Sequence, residues 1–196
     1  MVVKFNENHQ KVIDLAFANP NIRLIFERLA ADNPPNWILA GGAVFQTIWN
    51  GLLERPPEYG IKDYDLFYYD EHDLSWAGED QHIRAVKGLF KDQNLDIEVK
   101  NQARIHLWYE AKFDTKIAPL KNQFEGIDGF LNVNAAIGLY KAGEEIGVYA
   151  PYGLEDLFNL IVRPNPNSRT KDPRFYSAKT KRWKETWPEI NVISYA

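Results

Sequence analysis

The 196-residue sequence predicts an α/β (α+β) fold in which helices pack on a sheet. Three observations carry this. Segments with apolar residues at helical spacing alternate along the chain with short apolar or strictly alternating runs. The punctuation between them is Asn-Pro, Gly-Gly, Pro-Pro and Lys-Ala-Gly-Glu, the chemistry of turns. The balance of 45% apolar and 26% charged residues is that of a chain that buries a core.

The elements follow in order. Residues 8–18 place Val12, Leu15 and Ala16 on one helical face, and residues 21–31 do the same with Ile22, Ile25, Phe26 and Leu29. Asn19-Pro20 separates these helices, and Asn33-Pro34-Pro35 ends the second. Residues 37–40 are a continuous apolar run, read as a buried strand and broken by Gly41-Gly42. A helix over 43–53 aligns Val44, Ile48 and Leu52. A Pro-rich loop over 54–60 leads into an aromatic strand, 61–69. Residues 79–91 make an amphipathic helix and 95–100 alternate like a strand. The stretch 102–110 fits helix or strand, and 111–132 reads as loop. Strands over 135–140 and 145–151 flank a turn at Lys141-Ala142-Gly143-Glu144. A helix over 153–162 stops before Arg163-Pro164, three prolines mark a linker over 164–173, and 175–187 form a last helix. This divides the chain into a body, 1–165, and a basic extension, 166–196, packed on it or appended to it.

Composition narrows the function. With no cysteine, disulfides, thiolate nucleophiles, Cys-based zinc sites and iron–sulfur clusters are excluded. His9, His72, His82 and His106 are scattered without metal-ligand spacing. No apolar run approaches the roughly 18 residues of a membrane span, and the N-terminus lacks a signal-peptide profile. A cytoplasmic protein without a membrane partner is expected. The net charge of −4 argues against general nucleic-acid binding, and DNA is not an expected partner. The average hides an asymmetry: residues 163–184 carry eight Lys or Arg against Asp172, a charge of +7, which leaves −11 elsewhere. Such a segment either contacts phosphate or folds back on its own acidic body.

The chemistry concentrates between residues 40 and 70. Gly41 and Gly42 stand where a strand gives way to a helix. Without Cβ atoms there, phosphate oxygens can approach backbone N–H groups at the positive end of the helix. Asp63 and Asp65 lie two apart on the next strand and project from one face. Two carboxylates so placed repel each other unless a divalent cation joins them. A second acidic strand offers Asp96 and Glu98 on one face, opposite Leu95, Ile97 and Val99. Either acid can complete a three-carboxylate site for phosphoryl transfer. Lys62, Lys100 and Arg104 are the cations available to neutralise a triphosphate.

The run AGGAVFQTIW…KDYDLFYYD resembles the nucleotidyltransferase superfamily, and within it the head domain of tRNA CCA-adding enzymes and poly(A) polymerases. Over nearly the whole chain, through residues 97–113, 148–166 and 181–190, the sequence is similar to a small bacterial nucleotidyltransferase-like family of unassigned function. The resemblance implies a nucleotidyltransferase-type mixed sheet with flanking helices. It implies transfer of a nucleoside monophosphate from an NTP to an unknown acceptor, whether small molecule, protein or RNA, with Mg2+ as cofactor and two ions when NTP is bound. It carries Gly41 and Gly42 onto the glycine motif and Asp63 and Asp65 onto the first two metal-binding acids. Glu98 is the choice for the third, with Asp96 as runner-up. CCA-adding enzymes carry Arg then Asp where this chain has Phe45 and Gln46, so CCA addition itself is not implied. An inactive nucleotide- or RNA-binding module on the same fold is the alternative.

Overall fold

The computed structural model describes residues 7–29 and 34–195. Helices α1 (Glu7–Ala16) and α2 (Pro20–Arg28) come first. Asn19 starts α2: its side-chain oxygen accepts from the N–H of Asn21 at 2.9 Å, and Pro20 occupies a position that needs no N–H. The expected stop at Asn33 lies outside the described residues.

Next come β1 (Ile38–Ala40), α3 (Gly42–Leu52), β2 (Tyr64–Tyr68), α4 (Trp76–Leu89) and β3 (Ile97–Asn101). After a connection, β4 (Gly138–Ala142) and β5 (Glu145–Tyr149) complete a five-stranded sheet of order β3-β2-β1-β4-β5. β2 and β3 run parallel, with α4 as the crossover that parallel strands require. The other neighbours are antiparallel, so the sheet is mixed.

Alternation along the strands sets two faces. Leu39, Leu66, Tyr68, Val99 and Leu139 enter the main core with α1–α4. Ile38, Ala40 and Phe67 point the other way, under Ile127 of α6 (Gln123–Asp128) and Phe130. By the same alternation Asp65, Glu98 and Lys100 belong to this second face.

Some segments fold differently from their sequence reading. Asp63 and Asp96 each sit just ahead of their strand, because the β2–β3 ladder starts at Tyr64, whose N–H donates to the Asp96 carbonyl at 2.8 Å. The ambiguous stretch becomes a 3-10 turn, Gln102–Leu107, followed by α5 (Tyr109–Phe113). The Asn101 side chain starts that turn by accepting from the Ala103 N–H at 3.0 Å. The segment read as loop over 111–132 contains α6, capped by Asn122. The helix expected over 153–162 shrinks to α7 (Glu155–Phe158). Leu160 takes a left-handed φ of 56°, and Ile161–Val162 leave to form β6, paired in parallel with β7 (Asn191–Val192).

The last helix, α8 (Pro173–Thr186), is capped by Asp172 and opens on Pro173. It is pinned to α3 by aromatic rings. Trp183 meets Phe45 edge-on at 4.9 Å and Trp187 meets Trp49 at 5.7 Å. All four rings are buried. Each buried ring of this size contributes about 2–3 kcal/mol, plus ~0.5–1.5 kcal/mol for each well-oriented pair. Trp187 Nε1 donates to Asn50 Oδ1 at 2.8 Å, and Arg55 reaches the Thr186 carbonyl at 2.9 Å. The end of α8 is thereby fixed beside the loop that delivers Asp63: a Cβ on Gly60 would lie 2.7 Å from Thr186. Among the described residues no helix is long and apolar enough to cross a membrane.

Candidate functional site

Strand register brings the glycines and the acids together. Ala40 pairs with Asp65 across the antiparallel β1–β2 ladder. Two residues further on, in opposite directions, Gly42 comes opposite Asp63. A Cβ built on Gly42 would stand 3.9 Å from Asp63 Oδ1 and 3.7 Å from Gln46 Nε2. Gly41 makes the turn, with φ +60°, and its N–H donates to the Ile137 carbonyl at 2.8 Å. A side chain there would be strained, and its Cβ would press to 2.7 Å from the Phe130 ring. On the other side of β2, Asp65 is in register with Glu98.

Lys100, two residues beyond Glu98 on the same face, lies between these acids. Its Nζ donates to Asp65 Oδ1 at 2.7 Å and pairs with Glu98 Oε2 at 2.5 Å. The Lys100 contact holds the Glu98 carboxyl below the usual carboxylate range, against a smaller push from burial. Burial pushes the Lys100 ammonium down, but Asp65 and Glu98 outweigh it and leave it above an ordinary lysine. Asp63 goes the other way. Burial first, then the charges of Asp65 and Glu98, push its carboxyl up, only partly offset by Lys100 and Arg182. Of the two later acids, Glu98 pairs with Lys100 and acts on Asp63, whereas Asp96 is not among the groups that perturb Asp63.

Asp63 also lines a small cavity, about 30 Å³, enough for a water. Gln46, Lys62, Arg182 and Trp183 line it too. The sequence offered Lys62 for the nucleotide but not Gln46, Lys179 or Arg182. A signal for the α8 residues exists: Lys179, Arg182, Trp183 and Thr186 recur at i, i+3, i+4 and i+7, one helical face.

Arg104, also assigned to the nucleotide from the sequence, is turned away from the acids. Its guanidinium pairs with the buried Glu79 of α4, donates through Nε to the Leu74 carbonyl at 2.9 Å, and stacks on Trp76 at 5.6 Å. Glu79 in turn accepts from the Asn101 N–H at 2.8 Å. The 3-10 turn after β3 carries Arg104 to α4, where it neutralises a carboxylate that the core would not otherwise tolerate.

The donor chemistry can be tested against Mg2+. Among the described residues no three His, Asp or Glu side chains gather into a ready metal cage. Asp63 and Asp65 remain as two hard oxygen donors, and Asp63 is held above the usual carboxylate range by burial first and by the neighbouring carboxylates second. Two carboxylates, with water and phosphate oxygens completing the shell, suit Mg2+, which is seldom caged by protein alone. The space between Asp65 and Glu98 is held by the Lys100 ammonium.

Comparison with known proteins agrees with this architecture. A solution NMR structure described as revealing a CCA-adding enzyme head domain superposes with a TM-score of 0.71 at 24% identity, covering 98% of each chain. At that identity the likeness establishes the fold. No curated protein matches the chain. A family model described as nucleotidyltransferase matches residues 27–192, a span that takes in the glycine turn, the acidic strands and α8. This chain belongs to that nucleotidyltransferase family.

Proposed function

We propose that the protein is a Mg2+-dependent nucleotidyltransferase that moves a nucleoside monophosphate from an NTP to an acceptor hydroxyl and releases pyrophosphate. The observation that carries this is the register that sets Gly42 against Asp63 and Asp65 against Glu98. Asp63 and Asp65 hold the ion that accompanies the triphosphate. Gly41 and Gly42 leave the first N–H groups of α3 open to phosphate oxygens. Glu98 stands on the acceptor side and is the group for a second ion, for which Lys100 must give way. Lys62 neutralises triphosphate charge, joined by Lys100 once it is displaced from Asp65 and Glu98 by a metal ion. When bound, Mg2+ supplies charge neutralisation and an in-line template. The acceptor hydroxyl gives up its proton to solvent and its oxygen bonds to the α-phosphorus as the bond from the α-phosphorus to the α,β-bridging oxygen breaks and pyrophosphate leaves, so the protein's task is alignment and charge balance. The retained acids do not favour the inactive module.

Calorimetric titration of NTP with and without Mg2+, on the native chain and on Asp65→Asn, tests this. Binding is expected to need both the metal and the aspartate. Binding indifferent to both would turn the reading to a module without transfer activity.

A further inference from the structure

The cations around the acids are unevenly used. Lys100 is spent on Asp65 and Glu98. Among the described residues, Lys62, Lys179 and Arg182 have no carboxylate within ion-pair distance, although all three stand near a surplus of negative charge. Arg182 and Lys62 line the same cavity as Asp63. Lys179 lies one helical turn before Trp183, its ammonium 5.9 Å from that ring. Arg182 is close enough to lower the Asp63 carboxyl, and Asp65 and Asp63 both act on Lys179. Desolvation of the Lys179 ammonium, joined by repulsion from Arg182 and Lys100, pushes its pKa below that of an ordinary lysine against the opposing pull of Asp65 and Asp63, although the residue as a whole remains exposed.

A clamp that merely tied the basic helix to the acidic body would close these pairs. The α8 cations that are paired, Arg174 with Asp172 and Lys184 with the Ile190 carbonyl, are bound locally. What fixes α8 in place is aromatic: Trp183 and Trp187 on Phe45 and Trp49. The helix is therefore held without spending Lys179 and Arg182, and its anchor points them at the acids. Two cations without a carboxylate partner, one of them on the wall of a cavity that Asp63 also lines, fit a ligand that brings its own negative charge to the site together with a metal ion on the acids.

We infer that α8 is the phosphate-gripping wall of the site: Lys179 and Arg182 contact the polyphosphate of the bound nucleotide, opposite the N–H groups at the start of α3. This rests on the nucleotidyltransferase reading and adds to it two residues from the far end of the chain. Lys181 serves as the internal control. It carries the same charge two residues from Lys179 but lines a separate groove with Thr180 and Tyr195 on the other side of the helix.

The test is calorimetry with two probes, inorganic tripolyphosphate and ATP, each with Mg2+. Lys179→Met and Arg182→Met keep the aliphatic stems, and both positions are exposed, so the variants should fold; melting temperatures check this. Each is expected to weaken both probes roughly tenfold, as lost charge-assisted hydrogen bonds do, while Lys181→Met leaves them unchanged. On the unaltered protein, tripolyphosphate should shield Lys179 from amine acetylation, read by mass spectrometry, and leave Lys181 reactive. Native affinity in both α8 variants overturns the inference while the function stands. Equal loss in Lys181→Met also overturns it, since a diffuse basic field would then explain binding. If the native chain binds neither probe with Mg2+, the nucleotidyltransferase reading itself falls.

Discussion

Replacing Lys100 with Met tests the centre of the site. In the native protein one ammonium serves two carboxylates, at 2.7 Å to Asp65 and 2.5 Å to Glu98. Lys100 and Asp65 are about a third and a quarter exposed, and Glu98 nearly half, so neither pair has the strength of a buried one. Discounted for solvent, each is worth about 0.5–1 kcal/mol. The loss is therefore about 1–2 kcal/mol, a fall in melting temperature of roughly 3–6 °C for a chain of this size. The pH dependence has a definite sign. Glu98 has its carboxyl lowered in the folded state, so its contribution is present above the unfolded carboxylate range near pH 4.5 and lost as pH falls below it. Asp63, raised, destabilises the folded state once it ionises, as pH rises from its unfolded value near 3.8 through its higher folded value. Without Lys100 both effects work against the variant at neutral pH. The gap between variant and native protein should be widest near pH 7 and close as pH falls through the carboxylate range. Millimolar Mg2+ should narrow it by restoring positive charge. Scanning calorimetry at several pH values, with and without Mg2+, gives the answer. A gap constant from pH 7 to pH 4 would refute the electrostatic account and leave only lost packing.

Three further outcomes are expected. Asp63→Asn removes a carboxylate pushed up by burial and by its acidic neighbours, so it should raise the melting temperature without metal; Mg2+ is expected to stabilise the native chain and not this variant, and a lower metal-free melting temperature contradicts the reasoning. Gly41→Ala must hold φ +60° and push on Phe130, and should cost about 1–3 kcal/mol by denaturant titration, an unchanged midpoint being the adverse result. Arg104→Met strands the buried Glu79 and should cost about 3–5 kcal/mol, while the affinity of whatever folded protein remains for ATP with Mg2+ stays native; weaker ATP binding would return Arg104 to the site.

Much of the site was legible because period 2 and register are nearly the whole of it. Glu98 and Lys100 share a face by alternation alone, and the Gly-Gly break marks where β1 becomes α3. What alternation does not give is pairing. That Asp65 meets Glu98 rather than Asp96 depends on where the β2–β3 ladder begins, and a two-residue shift of register would exchange the two acids. Arg104 shows the limit more sharply. Nothing in its neighbours distinguishes a free cation from one consumed by Glu79, 25 residues away. In the fold, the helix after Asn122 was missed because that side chain caps it locally, and the stretch after Asn101, open between helix and strand, is decided by the Asn101 cap. The helix over 153–162 failed at Leu160, whose left-handed backbone no propensity anticipates. The role of α8 was half visible: its charge was plain in the sequence, whereas its seat on α3 is a contact across most of the chain.

That seat has a consequence for how the protein is made. Asn50 and Trp187, joined by a hydrogen bond, are 137 residues apart. During synthesis α3 leaves the ribosome early and waits for its partner rings until the last helix has emerged. Phe45 and Trp49 are then uncovered for most of translation, and closing so distant a contact is slow compared with pairing β4 to β5. The glycine turn and the acids can be laid down on the nascent chain, but the surface that α8 presents to them cannot. A chain that stops before Trp183 carries the acids but leaves Phe45 and Trp49 without the rings that cover them.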